Sequence, residues 1–168
     1  VQQKKLAAGV GYVRRSLPAY QKFREIALSG RLGEIKMGHI NFSHDFRQAR
    51  PDYQQTYYAR ESMGGGCILD AASHFITLAE WIFGEPQEVA SLYDRLVLEG
   101  VECEDSAIIM IRFRKNGALV QLFFNQFQKP NTRQIEVIGT KANLKVEVDG
   151  QVRRIELCDN ADNNWEAV

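Results

Sequence analysis

The sequence predicts an α+β fold, an open and mainly antiparallel sheet covered by helices on one face, and three observations carry that reading. Helix-period apolar patterning is confined to the first half, around Ser16–Gly30 and again up to Gly84. Downstream of Pro86 the pattern turns strand-like, punctuated by the hairpin signals Asn116-Gly117 and Asp149-Gly150. One of those strands is apolar at both sets of alternate positions, so both of its faces need cover. Helices that precede strands, rather than alternating with them, make the class α+β.

A chain of 168 residues suits one domain with a real core. Its 45% apolar and 25% charged residues are ordinary for a soluble globular protein. Lys+Arg and Asp+Glu both number 21, so no net field draws it to nucleic acid or to a membrane surface. Cys67, Cys103 and Cys158 stand far apart without CxxC spacing, which suits a reducing, cytoplasmic setting and argues against structural zinc. No unbroken apolar run approaches the ~18 residues of a membrane span, so no transmembrane helix is expected, and residues 1–10 lack a signal-peptide pattern.

Lys4-Lys5-Leu6-Ala7-Ala8 reads as a helix tail closed by Gly9, and Val10-Gly11-Tyr12-Val13 as a short buried strand. Gly9-Val10-Gly11 has no third glycine at dinucleotide-fingerprint spacing and no strand before it, so it is no cofactor site. The first helix takes Ser16 as N-cap, Pro18 in its first turn and Gly30 at its end, with Tyr20, Phe23, Ile26 and Ala27 inward. Gly33 opens a strand, Glu34 to Phe46, in which His39 and His44 face opposite sides and read as structural.

Residues 47–63 have no period but carry Arg47, Arg50, Tyr53, Tyr57, Tyr58 and Arg60, the composition of a binding loop or lid. Its tyrosines and arginines suit a polyhydroxylated or carboxylated substrate, and equally a partner chain. Gly64-Gly65-Gly66 then allows a tight bend or a close ligand approach. The helix that follows has an apolar stripe at Ile68, Ala72, Phe75, Ala79 and Ile82. Asp70 and His74, four apart, share its other face with Thr77 and Trp81. A carboxylate that orients an imidazole and raises its pKa suits proton transfer, and the same spacing suits a plain solvated pair.

Strands follow over Val89 to Leu98, Ser106 to Arg114, Ala118 to Phe127, Arg133 to Gly139, Asn143 to Val148 and Gln151 to Leu157, joined as a meander of hairpins. The third carries Val120, Leu122 and Phe124 on one face and Leu119, Phe123 and Phe127 on the other. Helices cover one face, and a second copy of the chain is the expected cover of the other.

Four ordered stretches resemble one family. Val10-Gly11-Tyr12-Val13-Arg14-Arg15-Ser16-Leu17-Pro18 is similar to the entry into the second domain of the Gfo/Idh/MocA oxidoreductases, which include glucose-fructose oxidoreductase and inositol dehydrogenase. Ser29-Gly30-Arg31-Leu32-Gly33-Glu34-Ile35 resembles their turn into the first sheet strand. Gly64-Gly65-Gly66-Cys67-Ile68-Leu69-Asp70-Ala71-Ala72-Ser73-His74 resembles their glycine-Asp-His signature, and Trp81, Gly84, Pro86 and Val89 its ending.

The resemblance implies the substrate-binding and oligomerisation domain of an NAD- or NADP-dependent dehydrogenase of sugars, polyols or related hydroxy compounds, assembled as a homodimer or homotetramer through the sheet face. Asp70 and His74 match the pair that assists proton transfer, with Arg14, Tyr57, Tyr58, Gly65 and Gly66 as candidate substrate contacts. On this reading residues 1–15 are the remnant of a link from an absent dinucleotide-binding domain, residues 16–168 form the domain itself, and the cofactor is bound mainly by the absent part. The family's Glu-Lys-Pro lysine is missing, and Ala72 stands where a glycine is common. Those departures keep a rival in view, a non-catalytic oligomerisation or sugar-sensing module of the same fold.

Overall fold

The computed structural model describes residues 7–149 and 152–168. Most of the expected helix tail from Lys4, and Gly150 of the Asp-Gly turn, lie outside those residues. Helix α1 spans Pro18–Leu28, α2 Phe46–Ala49 and α3 Ser73–Phe83, the last entered through a π-helical turn, Ile68–Ala72. The strands are β1 Ile35–Asp45, β2 Pro86–Asp94, β3 Ser106–Phe113, β4 Leu119–Asn125, β5 Phe127–Gly139, β6 Ala142–Asp149, β7 Val152–Asp159 and β8 Trp165–Ala167. They form one sheet in the order β2-β3-β4-β1-β5-β6-β7-β8. The mixed α+β architecture and open, mostly antiparallel sheet are those expected from the sequence.

The expected meander is interrupted at its centre. β1 lies between β4 and β5, parallel to the first (Ile40 opposite Leu122) and antiparallel to the second (Ile40 opposite Ile135). The chain passes over the end of β1 at Gln126, whose carbonyl accepts from the Phe46 amide at 2.9 Å. No Gly or Pro marks that crossing, so the sequence pattern runs straight through it. The Asn116-Gly117 connection is also longer than a two-residue hairpin turn. The Phe113 amide donates to the Ala118 carbonyl across four intervening residues, and Gly117 takes φ +67°. Strand β8 carries too short a pattern to be read from sequence.

The start of the chain differs too. Val10–Val13 is no buried strand, because Val10 and Val13 are exposed. Local turns consume the backbone donors there, the Tyr12 amide bonding the Val10 carbonyl and Val13 that of Gly11. Ser16 does not cap α1. It closes a 3₁₀ turn, Val13–Ser16, and Leu17 occupies the cap position without a side-chain bond. Pro18 supplies a preset φ at the first helical position, and Gly30 at φ +88° follows the end of the helix.

Both long helices bury their apolar stripes on one face of the sheet. Tyr20, Phe23, Ile26 and Ala27 of α1 and Phe75, Leu78, Ala79, Ile82 and Phe83 of α3 pack over Ile40, Val120, Leu122 and Phe124. Burial of each such side chain contributes about 1.5–3 kcal/mol. Gly38 sets how close α3 can come, since a Cβ there would lie 2.5 Å from the Phe83 ring. Length and composition alone would let the helical stretch Glu61–Phe83 cross a bilayer, which corrects the count made on unbroken apolar runs. Its glycines, alanines and paired polar residues lie inside a run that is apolar on average, and its apolar stripe is spent on the sheet.

Among the described residues no helix covers the opposite face of the sheet. Leu92, Ile108, Met110, Leu119 and Met37 lie exposed on its β2–β4–β1 side. Towards β7 the same face becomes charged, with Lys145 paired to Glu156 at 3.2 Å and Glu147 at 3.8 Å.

Candidate active site

Three segments meet at the start of α3. The first is the turn around Tyr12 and Arg14. The second is the 46–63 segment, three single helical turns after α2, fixed by Phe46, Tyr53, Tyr58, Ala59, Leu98 and Val101, which pack as a cluster of their own. The third is the glycine bend that leads into α3. Together they bound a cleft of about 270 Å³ lined by Tyr12, Tyr57, Gly64, Asp70, Ser73 and His74. Larger hollows of about 490 and 460 Å³ along β2–β4 have mostly apolar linings, and one of about 620 Å³ lies at Glu61, Arg95, Glu102 and Glu104; none of the three is lined by a histidine.

Asp70 and His74 share this cleft but do not bond each other. The Ser73 amide bonds the Ile68 carbonyl five residues back, so the helix is widened where Asp70 leaves it and a four-residue step no longer stacks. Asp70 Oδ1 instead accepts a short hydrogen bond from the Tyr57 hydroxyl. That bond, aided by burial, pushes Tyr57 up to about 12, so the phenol stays protonated and Asp70 is its acceptor. The His74 ring stands edge-on to Tyr12, centroids 5.4 Å apart, and its Nδ1 has no partner among the described residues. Burial and the nearby Arg14 cation pull its pKa below the usual value despite Asp70. The expected upward shift is thus reversed, and His74 is a neutral base at neutral pH.

Arg14 lies over Phe75 at 4.2 Å and Phe42 at 4.8 Å, at the border of the cleft. The other three candidate contacts sit apart from it. Tyr58 is 1% exposed and donates to the Glu104 carbonyl at 3.4 Å, with burial pushing its hydroxyl pKa far up. Gly65 and Gly66 are buried. A Cβ on Gly65 would lie 2.2 Å from the Tyr58 carbonyl oxygen, and one on Gly66 2.4 Å from the Glu104 carboxylate. Both glycines therefore answer to protein packing, and Gly64 is the one that faces the cleft.

Two further residues belong to this region. His44 is 9% exposed, stands edge-on to Phe42 and has an unpartnered Nδ1. Its pKa is lowered by burial, Arg133 and Arg14, against Asp70 and Asp45. Even spacing from Ile40 and Phe42 was the available signal for its inward side. Arg133, opposite Phe42 in the β1–β5 register, joins through a long-range pairing that no local pattern announces.

Among the described residues no set of three or more His, Cys, Asp or Glu is placed to hold a metal. Nor do these residues build a dinucleotide cradle. Gly9 and Gly11 stand in open irregular chain, and the described residues that follow them form a 3₁₀ turn before α1. The cleft thus brings together an imidazole whose pKa is lowered, an anchored carboxylate and a protonated phenol, groups capable of acid–base chemistry.

Residues 20–145 match the GFO/IDH/MocA C-terminal domain. An uncharacterized oxidoreductase of Synechocystis is 30% identical over 108 residues, which cover 58% of this chain and 29% of that protein. Levoglucosan dehydrogenase in complex with NADH superposes with a TM-score of 0.83 at 20% identity, over 100% of this chain and 48% of that one. An inositol dehydrogenase homolog complexed with NAD+, from Azotobacter vinelandii, gives 0.79 at 20% identity, over 95% and 43%. At such identity the structures establish the fold. The chain spans about half the length of the solved structures and under a third of the Synechocystis protein.

Proposed function

The chain belongs to the GFO/IDH/MocA family as a C-terminal domain, and from that premise we propose that it forms the substrate side of an NAD(P)-dependent dehydrogenase acting on a sugar, polyol or related hydroxy compound. The observation that supports this most is the neutral His74 imidazole, in one cleft with the Tyr57–Asp70 pair. In this reading His74 takes the proton of the substrate hydroxyl during oxidation and returns it during reduction. Asp70 is held by Tyr57 and stabilises the imidazolium that forms. Tyr12 and Tyr57 give the cleft the flat apolar sides and hydroxyl tips that suit a carbinol carbon.

NAD(P), when bound, would supply the hydride acceptor, and the described residues build no cradle for it. Neighbours of the same fold were solved with NADH or NAD+, which supports use of that cofactor here. The exposed apolar part of the sheet supports self-association as a homodimer or homotetramer. Three buried, free thiols fit a cytoplasmic setting.

The test is NAD(P)H formation by the complete protein with a panel of polyols, aldoses and hydroxy acids, wild type against His74→Ala. Turnover that falls with the substitution supports the reading. Absence of turnover across the panel with either nucleotide, in protein that binds the nucleotide, would leave the non-catalytic sugar-binding module as the better account.

A further inference from the structure

An imidazole acts as a base only with the correct nitrogen turned to its substrate, and the torsion that turns the ring is a soft one. The usual restraint is a hydrogen bond from the other ring nitrogen to a carboxylate or a carbonyl. His74 lacks that restraint. Its Nδ1 is shut off from solvent with no hydrogen-bond partner among the described residues, and the nearby carboxylate, Asp70, is taken by Tyr57. What stands against the ring instead is Tyr12, with centroids 5.4 Å apart and planes at 87°. That is the edge-to-face arrangement that aromatic pairs favour, inside the ~4.5–7 Å range of such contacts.

Tyr12 is itself held in place. It is the central residue of an inverse γ-turn, φ −75° and ψ 63°, closed by the Val13 amide on the Gly11 carbonyl at 2.8 Å. The residues after it run beside α3 and fasten to it in order. The Arg14 guanidinium covers the Phe75 ring at 4.2 Å. Arg15 donates to the Thr77 carbonyl and pairs with Glu80 at 3.6 Å. The Tyr12 ring is therefore carried by a strap tied to the same helix that carries His74, with its first anchor at the very next residue. Both rings line the cleft.

We propose that Tyr12 is a positioning residue for His74: its ring blocks rotation of the imidazole about Cβ–Cγ and keeps Nε2 turned to the cleft. Nδ1 is the shielded nitrogen, so Nε2 is the one left for a substrate proton. Asp70 then acts on the charge of the imidazolium and the strap on its direction, two tasks that one carboxylate combines in the usual arrangement. This deepens the dehydrogenase reading and rests on it for what the imidazole does, but not for how the ring is held.

Nuclear magnetic resonance of the complete protein, with histidine isotopically labelled at Cε1, tests it without turnover. The His74 signal, identified by its loss in His74→Ala, is expected to lie under the ring current of Tyr12. Tyr12→Leu keeps apolar bulk but no ring and should move that signal towards the position of a free histidine. Tyr12→Phe should leave it in place, and the His39 and His44 signals should stay still in both variants as markers of an intact fold. A nuclear Overhauser contact between the Tyr12 and His74 rings in the wild type gives the same reading with no substitution at all. In turnover, Tyr12→Leu should lower kcat roughly three- to tenfold, about the worth of one aromatic edge contact. Tyr12→Phe should restore kcat whatever becomes of KM, because the ring and not the hydroxyl does the holding. A His74 signal unmoved by Tyr12→Leu, no contact between the rings, or Leu and Phe variants that lose kcat alike overturns the proposal. No turnover on any substrate, with the His74 signal shifted as expected, would sink the dehydrogenase reading and uphold the ring contact.

Discussion

The Tyr57 hydroxyl donates to Asp70 across thirteen residues of chain, so the segment before the glycine bend is tied to the helix after it. The consequence is visible by titration. Tyr57 is raised to about 12, above the usual phenol value of ~10, chiefly by that bond. Ultraviolet titration of wild type against Tyr57→Phe should remove a phenolate signal near pH 12, not one near pH 10. Loss of a hydrogen bond to a charged acceptor, tempered by exposure of this tyrosine, should lower kcat/KM by roughly five- to tenfold. A lost signal at pH 10 with unchanged activity would detach Tyr57 from Asp70.

His74→Ala should lower kcat by about 10²–10⁴-fold, the range for loss of a general acid–base group. Because burial and Arg14 depress the folded pKa, the neutral base persists to lower pH. The acid limb of kcat/KM for oxidation should therefore fall below the usual ~6.5. Arg14→Gln removes one depressing charge and should move that limb upward. A limb that stays in place in Arg14→Gln would separate Arg14 from His74.

The Asp-His spacing made the cleft legible from the sequence, because both residues line it. Their pairing was not legible, since a π turn is decided by hydrogen bonds that no residue type announces. The two inner glycines illustrate the opposite limit. Their run looked like room for a ligand, and the space proves to be filled by Tyr58 and Glu104 from elsewhere in the chain. Helix stripes and strand periods located nearly every regular element, because burial on one side is a local signal. The insertion of β1 between β4 and β5, and with it the meeting of Arg133 and Phe42, depends on pairing between segments about ninety residues apart.

Gly66→Ala tests that packing account. The residue holds φ +94°, and its Cβ would strike the carboxylate that accepts from the Ile68 amide at 2.8 Å. Strain of about 1–3 kcal/mol is expected, or a loss of several degrees in Tm. Gly117→Ala, at φ +67° with nothing within 4 Å, carries the backbone strain without the clash and should cost less. Equal losses in the two variants would show that Glu104 moves aside freely.

Asp105 is fully buried and accepts from the amides of Leu96, Val97 and Leu98 and the Ser106 hydroxyl. Burial opposes its charge, but the three amides and the hydroxyl prevail and its pKa is lowered. A depressed carboxyl gives stability that is full above the unfolded value of ~3.9 and lost as pH falls through the folded one. Asp105→Asn should cost about 2–3 kcal/mol at neutral pH, mostly through the buried Leu98 amide, and should flatten the acid side of a Tm-against-pH curve. An acid limb as steep as in wild type would assign that dependence to other carboxylates.

The uncovered sheet face joins an apolar part, with Ile108 38% and Met110 55% exposed, to a charged part around Lys145. Apolar area of that kind is lost from water only if something covers it, and two copies related by a twofold axis present the same patch to each other. Met110→Glu places a charge in the patch while leaving the helix-covered core untouched. Light scattering on the complete protein should then show a mass reduced to one half, or one quarter for a tetramer held wholly by this face. An unchanged mass would mean that the copies meet elsewhere. Precipitation of the wild type that Met110→Glu relieves would instead mark the patch as covered by a different chain, because a self-complementary face is already closed in the native assembly.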